Sequence, residues 1–131
     1  MLLDSNILIY GASREHPGLD AVLDRTDLAA ASISRIETLG FHKLSDIERH
    51  WLDAAFARMQ ILPLDDIVAA RAIELRQQSR MRLADAIIAA TALVHLRPLV
   101  TRNVDDFRHL TELEIINPFA PRSRGKGTPK G

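Results

Sequence analysis

A chain of 131 residues, 47% hydrophobic and 26% charged, fits one compact domain with a real core. It has no cysteine, which excludes disulfides and thiolate zinc sites, and no apolar run approaches the roughly 20 residues needed to span a bilayer. The zero net charge hides a split: the last ten residues carry four bases and no acid, and removing those from 17 basic residues leaves 13 against 17 acids, so residues 1–121 carry −4.

Asp4 interrupts the opening apolar run at once, so no signal-like block forms and a soluble, cytoplasmic protein with no membrane contact is expected. In chain order, Leu2-Leu3 reads as a short first strand, with Asp4-Ser5 as caps for a helix over 6–12. Pro17 opens a second helix carrying Leu19, Val22 and Leu23 at helical spacing. Residues 28–33 predict a second strand, and Ile36, Leu39, Gly40 and Leu44 a third helix. Asp46 caps a fourth, running to about Met59 with Ile47, Trp51, Leu52, Ala55 and Phe56 inward. Gln60-Ile61-Leu62 predicts a strand stopped at Pro63. Asp65 or Asp66 caps a long helix with Val68, Ala72 and Leu75 along one stripe, and residues 84–96 predict the most apolar, nearly enclosed helix. Leu99-Val100-Thr101 and Glu114-Ile115-Ile116 complete the strands. The domain is expected over 1–121, with 122–131 a basic, disordered tail.

Strands alternating with helices argue for a parallel sheet covered on both faces, with the ligand site beyond the carboxyl ends of the strands. Asp4 follows the first strand and Asn103 the fourth, so both fall at that edge, while Glu37 and Asp85 lie on helices able to face the same cleft. A carboxylate at the edge of an apolar segment is costly to bury without a partner, and several converging from distant parts of the chain call for a cation. Taken singly, Asp4 and Asp85 read as helix caps, Glu37 as surface, and Asp106 as completing a capping box with Asn103. Phe107 reads as a core plug, and the five histidines show no ligand spacing.

Four segments then carry a resemblance: Leu3-Asp4-Ser5-Asn6-Ile7-Leu8-Ile9-Tyr10, Ser34-Arg35-Ile36-Glu37-Thr38-Leu39, residues 83–92 around Asp85, and residues 99–107, which include Thr101-Arg102-Asn103 and Asp105-Asp106-Phe107. Together, in order, they resemble the four motifs of PIN-domain ribonucleases, and within those the VapC toxins of toxin–antitoxin pairs. The resemblance covers nearly all of the chain up to Pro118. It implies a three-layer α/β/α fold with a central, mostly parallel sheet of four to five strands, Mg2+- or Mn2+-dependent endoribonuclease activity, and inhibition by a cognate VapB-like antitoxin. Asp4 and Asp85 are the expected metal ligands. Glu37 is a further ligand, direct or through water, or an orienter of the attacking water.

Where many relatives carry aspartate in the fourth motif this chain has Asn103, whose neutral carbonyl weakens a second ion site; Asn103 and Asp106 both remain candidates for that position. Ser5, Asn6, Thr101 and Arg102 are expected to orient carboxylates or touch phosphate. Arg80 and Arg82, with Arg102, are the candidate RNA contacts. An antitoxin would lie across the cleft, using the apolar surface of Leu39, Phe41, Leu44 and Trp51, and homodimerisation is common among such relatives. Two other readings stand beside this one: an RNA-processing nuclease without an antitoxin, and a binding module that kept the fold without catalysis.

Overall fold

The computed structural model describes residues 1–119, and the basic tail lies outside the described residues. Five short strands, β1 (Leu2–Leu3), β2 (Ala29–Ala31), β3 (Gln60–Leu62), β4 (Leu99–Val100) and β5 (Ile115–Ile116), form one sheet in the order β3-β2-β1-β4-β5. Every pair is parallel, with Leu2 opposite both Ala29 and Leu99. Six α-helices connect them: α1 (Ser5–Ser13), α2 (Asp20–Leu23), α3 (Ser32–Leu39), α4 (Asp46–Ala57), α5 (Asp66–Gln78) and α6 (Leu83–Val94). The expected three-layer α/β/α architecture is the one found.

Alternation along the strands builds two cores. Leu2, Ala29, Ala31 and Leu99 point to one face, where they meet Val68, Ala72 and Leu75 of α5 and Ile88 of α6. Leu3, Ala30 and Val100 point to the other, against Ile7 and Leu8 of α1 and Leu52 and Phe56 of α4. Alanines throughout β2 leave room for helices to seat on both faces of the sheet. On the second face α1 and α4 come so close that a methyl group on Gly11 would stand 2.6 Å from the Trp51 ring. Among the described residues no helix is long and apolar enough to cross a membrane.

The helix boundaries expose two differences from the sequence expectation. Ser45, one residue before Asp46, caps α4: its hydroxyl accepts from the Glu48 backbone N–H while the Glu48 carboxylate accepts from the Ser45 N–H, a full capping box. Ile47, expected inside, is 71% exposed. In α3 the inward stripe is Ser34 and Thr38, both buried, with the Thr38 hydroxyl bonded to the Ser34 carbonyl.

α6 ends in a strained residue. Leu96, 89% exposed, sits in the left-handed region at φ 54°, while the Arg97 N–H reaches back to the Ala92 carbonyl. That conformation suits glycine and costs a β-carbon about 1 kcal/mol. Leu96→Gly is therefore expected to stabilise the fold by about 1 kcal/mol, read as a higher urea midpoint at unchanged slope.

Candidate active site

The sheet order reverses between β1 and β4: the chain runs outward from β1 through β2 to β3, then returns to build β4 and β5 on the other side. Such a switch point opens a crevice at the carboxyl ends of the two strands. Asp4 follows β1 and Thr101 follows β4, so the first and fourth sequence motifs meet there.

Asp4 is 5% exposed and does two jobs. As N-cap of α1, its Oδ1 accepts the Ser5 N–H at 2.8 Å. Its Oδ2 accepts the fully buried Thr101 hydroxyl at 2.7 Å and the Asn6 side-chain amide at 3.2 Å. Thr101 Oγ1 in turn accepts the Asn103 N–H at 3.0 Å, which fixes the turn leaving β4. Burial pushes the Asp4 carboxyl up to about 6. The bonds from Thr101 and Ser5 oppose that rise, and the negative charges of Asp85 and Glu37 add to it.

Glu37 reaches the same place from α3. The Ser5 hydroxyl lies 2.6 Å from Glu37 Oε1 and 2.9 Å from Ser34 Oγ. A hydroxyl has one proton and an ionised carboxylate only accepts, so Ser5 donates to Glu37 and Ser34 donates to Ser5. Buried Ser34 thus anchors a relay that orients an otherwise exposed carboxylate. Asp85 lies in the first turn of α6, 9% exposed, where the helix dipole favours its charge. Its Oδ2 accepts from Arg82 Nε at 3.2 Å. The hydrogen bond and charge of Asp85 raise the proton affinity of the Arg82 guanidinium above its ordinary value, with smaller contributions from Asp106 and Glu37. Asp4, Glu37, Asp85 and Asp106 therefore act in one electrostatic field, although they come from residues 4 to 106 of the chain.

The remaining candidates are distributed as follows. Asn103 and Asp106 are both exposed, on either end of the single turn 104–106. The expected capping box between them is absent: Asn103 makes no side-chain cap, and only the Asp106 N–H bonds the Asn103 carbonyl. Asp105 pairs with Arg108. The Arg102 N–H approaches Asn6 Oδ1 at 3.4 Å, and its guanidinium lies over the rings of Tyr10 and Phe119. Arg80 is exposed and makes no hydrogen bond or ion pair with the acidic groups among the described residues. The sequence reading missed Ser34 as a site residue and missed the aromatic seat of Arg102. A signal for the first was present, since Ser34 and Thr38 stand one turn apart on one face of α3.

Oxygen donors of this kind suit a hard divalent cation. Among the described residues no three acidic or histidine side chains are gathered closely enough to cage an ion as they stand. Burial is what chiefly holds Asp4 at about 6, and the smaller rise that the charges of Asp85 and Glu37 add is of the kind that a cation between the three relieves.

The model of the PIN domain matches residues 1–113. The chain belongs to the PIN-domain family. Solved structures similar to this PIN domain include a toxin–antitoxin complex from Klebsiella pneumoniae, 30% identical with a TM-score of 0.75 over 92% of this chain and 98% of that one. FitAcB from Neisseria gonorrhoeae is 27% identical, TM-score 0.74, over 92% and 99%. VapBC-5 from Mycobacterium tuberculosis, of the VapBC family of toxin–antitoxin systems, is 27% identical, TM-score 0.65, over 88% and 96%. No curated protein sequence matches the chain.

Proposed function

We propose that this PIN domain is a metal-dependent endoribonuclease and the toxin of a toxin–antitoxin pair. The observation that carries the nuclease reading is the meeting of Asp4, Glu37 and Asp85 at the switch point, where two of the three charges raise the proton affinity of the third. Asp4 and Asp85 would hold Mg2+ or Mn2+, with Glu37 a third oxygen directly or through water. When bound, the ion supplies an acidified water and neutralises charge developing on the scissile phosphate.

The chain's own residues do the rest. Thr101, Asn6 and the Ser5 N–H fix both oxygens of Asp4, so its carboxylate is preorganised rather than free to rotate. The relay from Ser34 through Ser5 leaves the second oxygen of Glu37 free to take a hydrogen bond from an incoming water. Arg82 neutralises part of the Asp85 charge and stands exposed beside it, within reach of an RNA phosphate. Asn103 and Asp106 line a polar cleft of about 460 Å³ at the same edge and serve the fourth position through water.

The toxin part of the reading is supported by the partners named for the relatives. It is supported too by an apolar hollow of about 150 Å³ beside Glu37, lined by Ile9, Phe41 and Leu44 among others. Ile9 and Phe41 are 50% and 52% exposed. An antitoxin segment seated there would lie next to the carboxylates. A homodimer, common in such toxins, would place two clefts in one particle.

Cleavage mapping on total RNA with Mg2+, Mn2+ or chelator tests the activity. Discrete cuts are expected with either ion, and Asp85→Asn is expected to lose at least about 100-fold in rate while keeping its fold. Co-purification with, and inhibition by, the product of an adjacent small reading frame tests the pairing. Cleavage that no such product suppresses would remove the toxin assignment and leave the nuclease.

A further inference from the structure

An acidic cleft alone repels RNA, so a nuclease built on one needs a cation placed to hold the substrate. Arg102 and Arg108 line the polar cleft and Arg82 stands beside Asp85, and two of these three are already committed. Arg82 pairs with Asp85, and Arg108 pairs with Asp105. Arg102 pairs with no carboxylate among the described residues. Its guanidinium carbon instead lies 4.4 Å from the centre of the Phe119 ring and 5.0 Å from that of Tyr10.

That seat is built from three separate parts of the chain. Tyr10 comes from α1, Arg102 from the turn after β4, and Phe119 from the segment after β5, where the Phe119 N–H bonds Asn117 Oδ1. The rings of Tyr10, His16 and Phe119 meet edge to face at centroid distances of 5.0 to 5.5 Å, so each buttresses the others. A guanidinium stacked on a ring face is held by that face while its N–H donors, which lie in its own plane, stay available. Arg102 lines the same polar cleft as Asn103 and Asp106. Its backbone N–H also touches Asn6, which holds Asp4.

We propose that Arg102, seated on Tyr10 and Phe119, is a substrate-positioning residue that grips an RNA phosphate neighbouring the one cleaved. The inference rests on the nuclease reading above. Stacking costs the side chain its freedom before substrate arrives, so little is lost when the phosphate binds. The segment after β5 then has a role at the site despite contributing no acidic group to it.

Steady-state cleavage and equilibrium binding of a labelled single-stranded oligoribonucleotide, measured over a range of salt, test this. Arg102→Met keeps the aliphatic stem and removes the charge. It is expected to raise KM about tenfold with kcat changed less than about threefold, and to make the salt dependence of binding shallower by about 0.7 in log–log slope. Arg102→Lys is expected to restore the slope but only part of the affinity, because an ammonium keeps the charge and loses the planar fork. Phe119→Leu is expected to raise KM about threefold, and to add nothing when combined with Arg102→Met. Arg25→Met, at an ion pair with Asp27 at the opposite sheet edge, is the unchanged control.

An Arg102→Met variant with wild-type KM and salt slope overturns the proposal, as does one that loses only thermal stability or only kcat. In either case wild-type cleavage still stands for the nuclease reading. A wild-type chain that neither cuts nor binds RNA removes both.

Discussion

Asp4→Asn is expected to melt about 3 °C higher than the wild-type chain at pH 7 without metal, while losing metal-dependent cleavage. The reason is the cost of ionising a carboxyl that is 5% exposed and faces two other acids. In the unfolded chain Asp4 titrates near 3.8, and in the fold at about 6. Below the first value both states hold the proton and the group contributes nothing. Between the two values the unfolded chain releases its proton and the fold keeps it, so stability falls as pH rises. Above about 6 the whole penalty is present, about 3 kcal/mol at about 1.4 kcal/mol per tenfold change in proton affinity.

Asparagine carries no charge and caps a helix as well as aspartate does. Its amide N–H2 would face both donors to Asp4 Oδ2, the Thr101 hydroxyl and the Asn6 amide, which returns about 2 kcal/mol of the gain and leaves a net of about 1 kcal/mol. Melting curves over pH 4 to 7 check this: the wild type should lose stability across that window and the variant should stay nearly flat. Adding Mn2+ should stabilise the wild type and leave the variant unmoved. A variant that melts lower at pH 7, or a flat wild-type profile, would remove the strained carboxylate from the account.

Phe107→Ala is the largest stability loss expected from a single change outside the carboxylates. Phe107 is fully buried, in the core packed under α5 and α6, and it anchors the loop that carries Asn103 and Asp106. Truncation of a buried phenylalanine costs about 3–5 kcal/mol, set against a total of about 5–15 kcal/mol for a domain. The urea midpoint should fall accordingly, with Phe107→Leu losing only about 1 kcal/mol. Ile73→Ala, at a site 58% exposed, should move it by less than about 0.5 kcal/mol. If Phe107→Ala stayed within 1 kcal/mol of wild type, the loop of the fourth motif would not be seated as described.

The strands were readable because each is a short apolar run closed by a polar or proline signal: Leu2-Leu3 before Asp4, Gln60-Ile61-Leu62 before Pro63, and Leu99-Val100 before Thr101. The sequence put Asp4 and Asn103 at the carboxyl edge of the sheet and left Glu37 and Asp85 on helices able to face it; in the fold the charges of Asp85 and Glu37 act on Asp4. Helix orientation was harder. Hydropathy assigned Ile47 to the core, where it is exposed, and gave no hint that α3 turns Ser34 and Thr38 inward, where those two satisfy each other and the relay to Glu37. A polar inner face is invisible to any rule that counts apolar spacing. The aromatic seat of Arg102 was beyond reach for another reason: residues 10, 16, 102 and 119 share no local pattern, and only the fold makes them neighbours. The basic tail, expected to be disordered, lies outside the described residues.

β1 is two residues long and lies at the centre of the sheet, hydrogen-bonded to β2 on one side and β4 on the other. Its neighbours stand 27 and 97 positions further along the chain. Loop closure over such a span is entropically slow, so this strand locks late in folding. Thr101 comes to rest on Asp4 in that same event. A partly assembled chain, lacking β4, holds Asp4 only through its neighbours Ser5 and Asn6, so the seat of that carboxylate is complete only once β4 has docked.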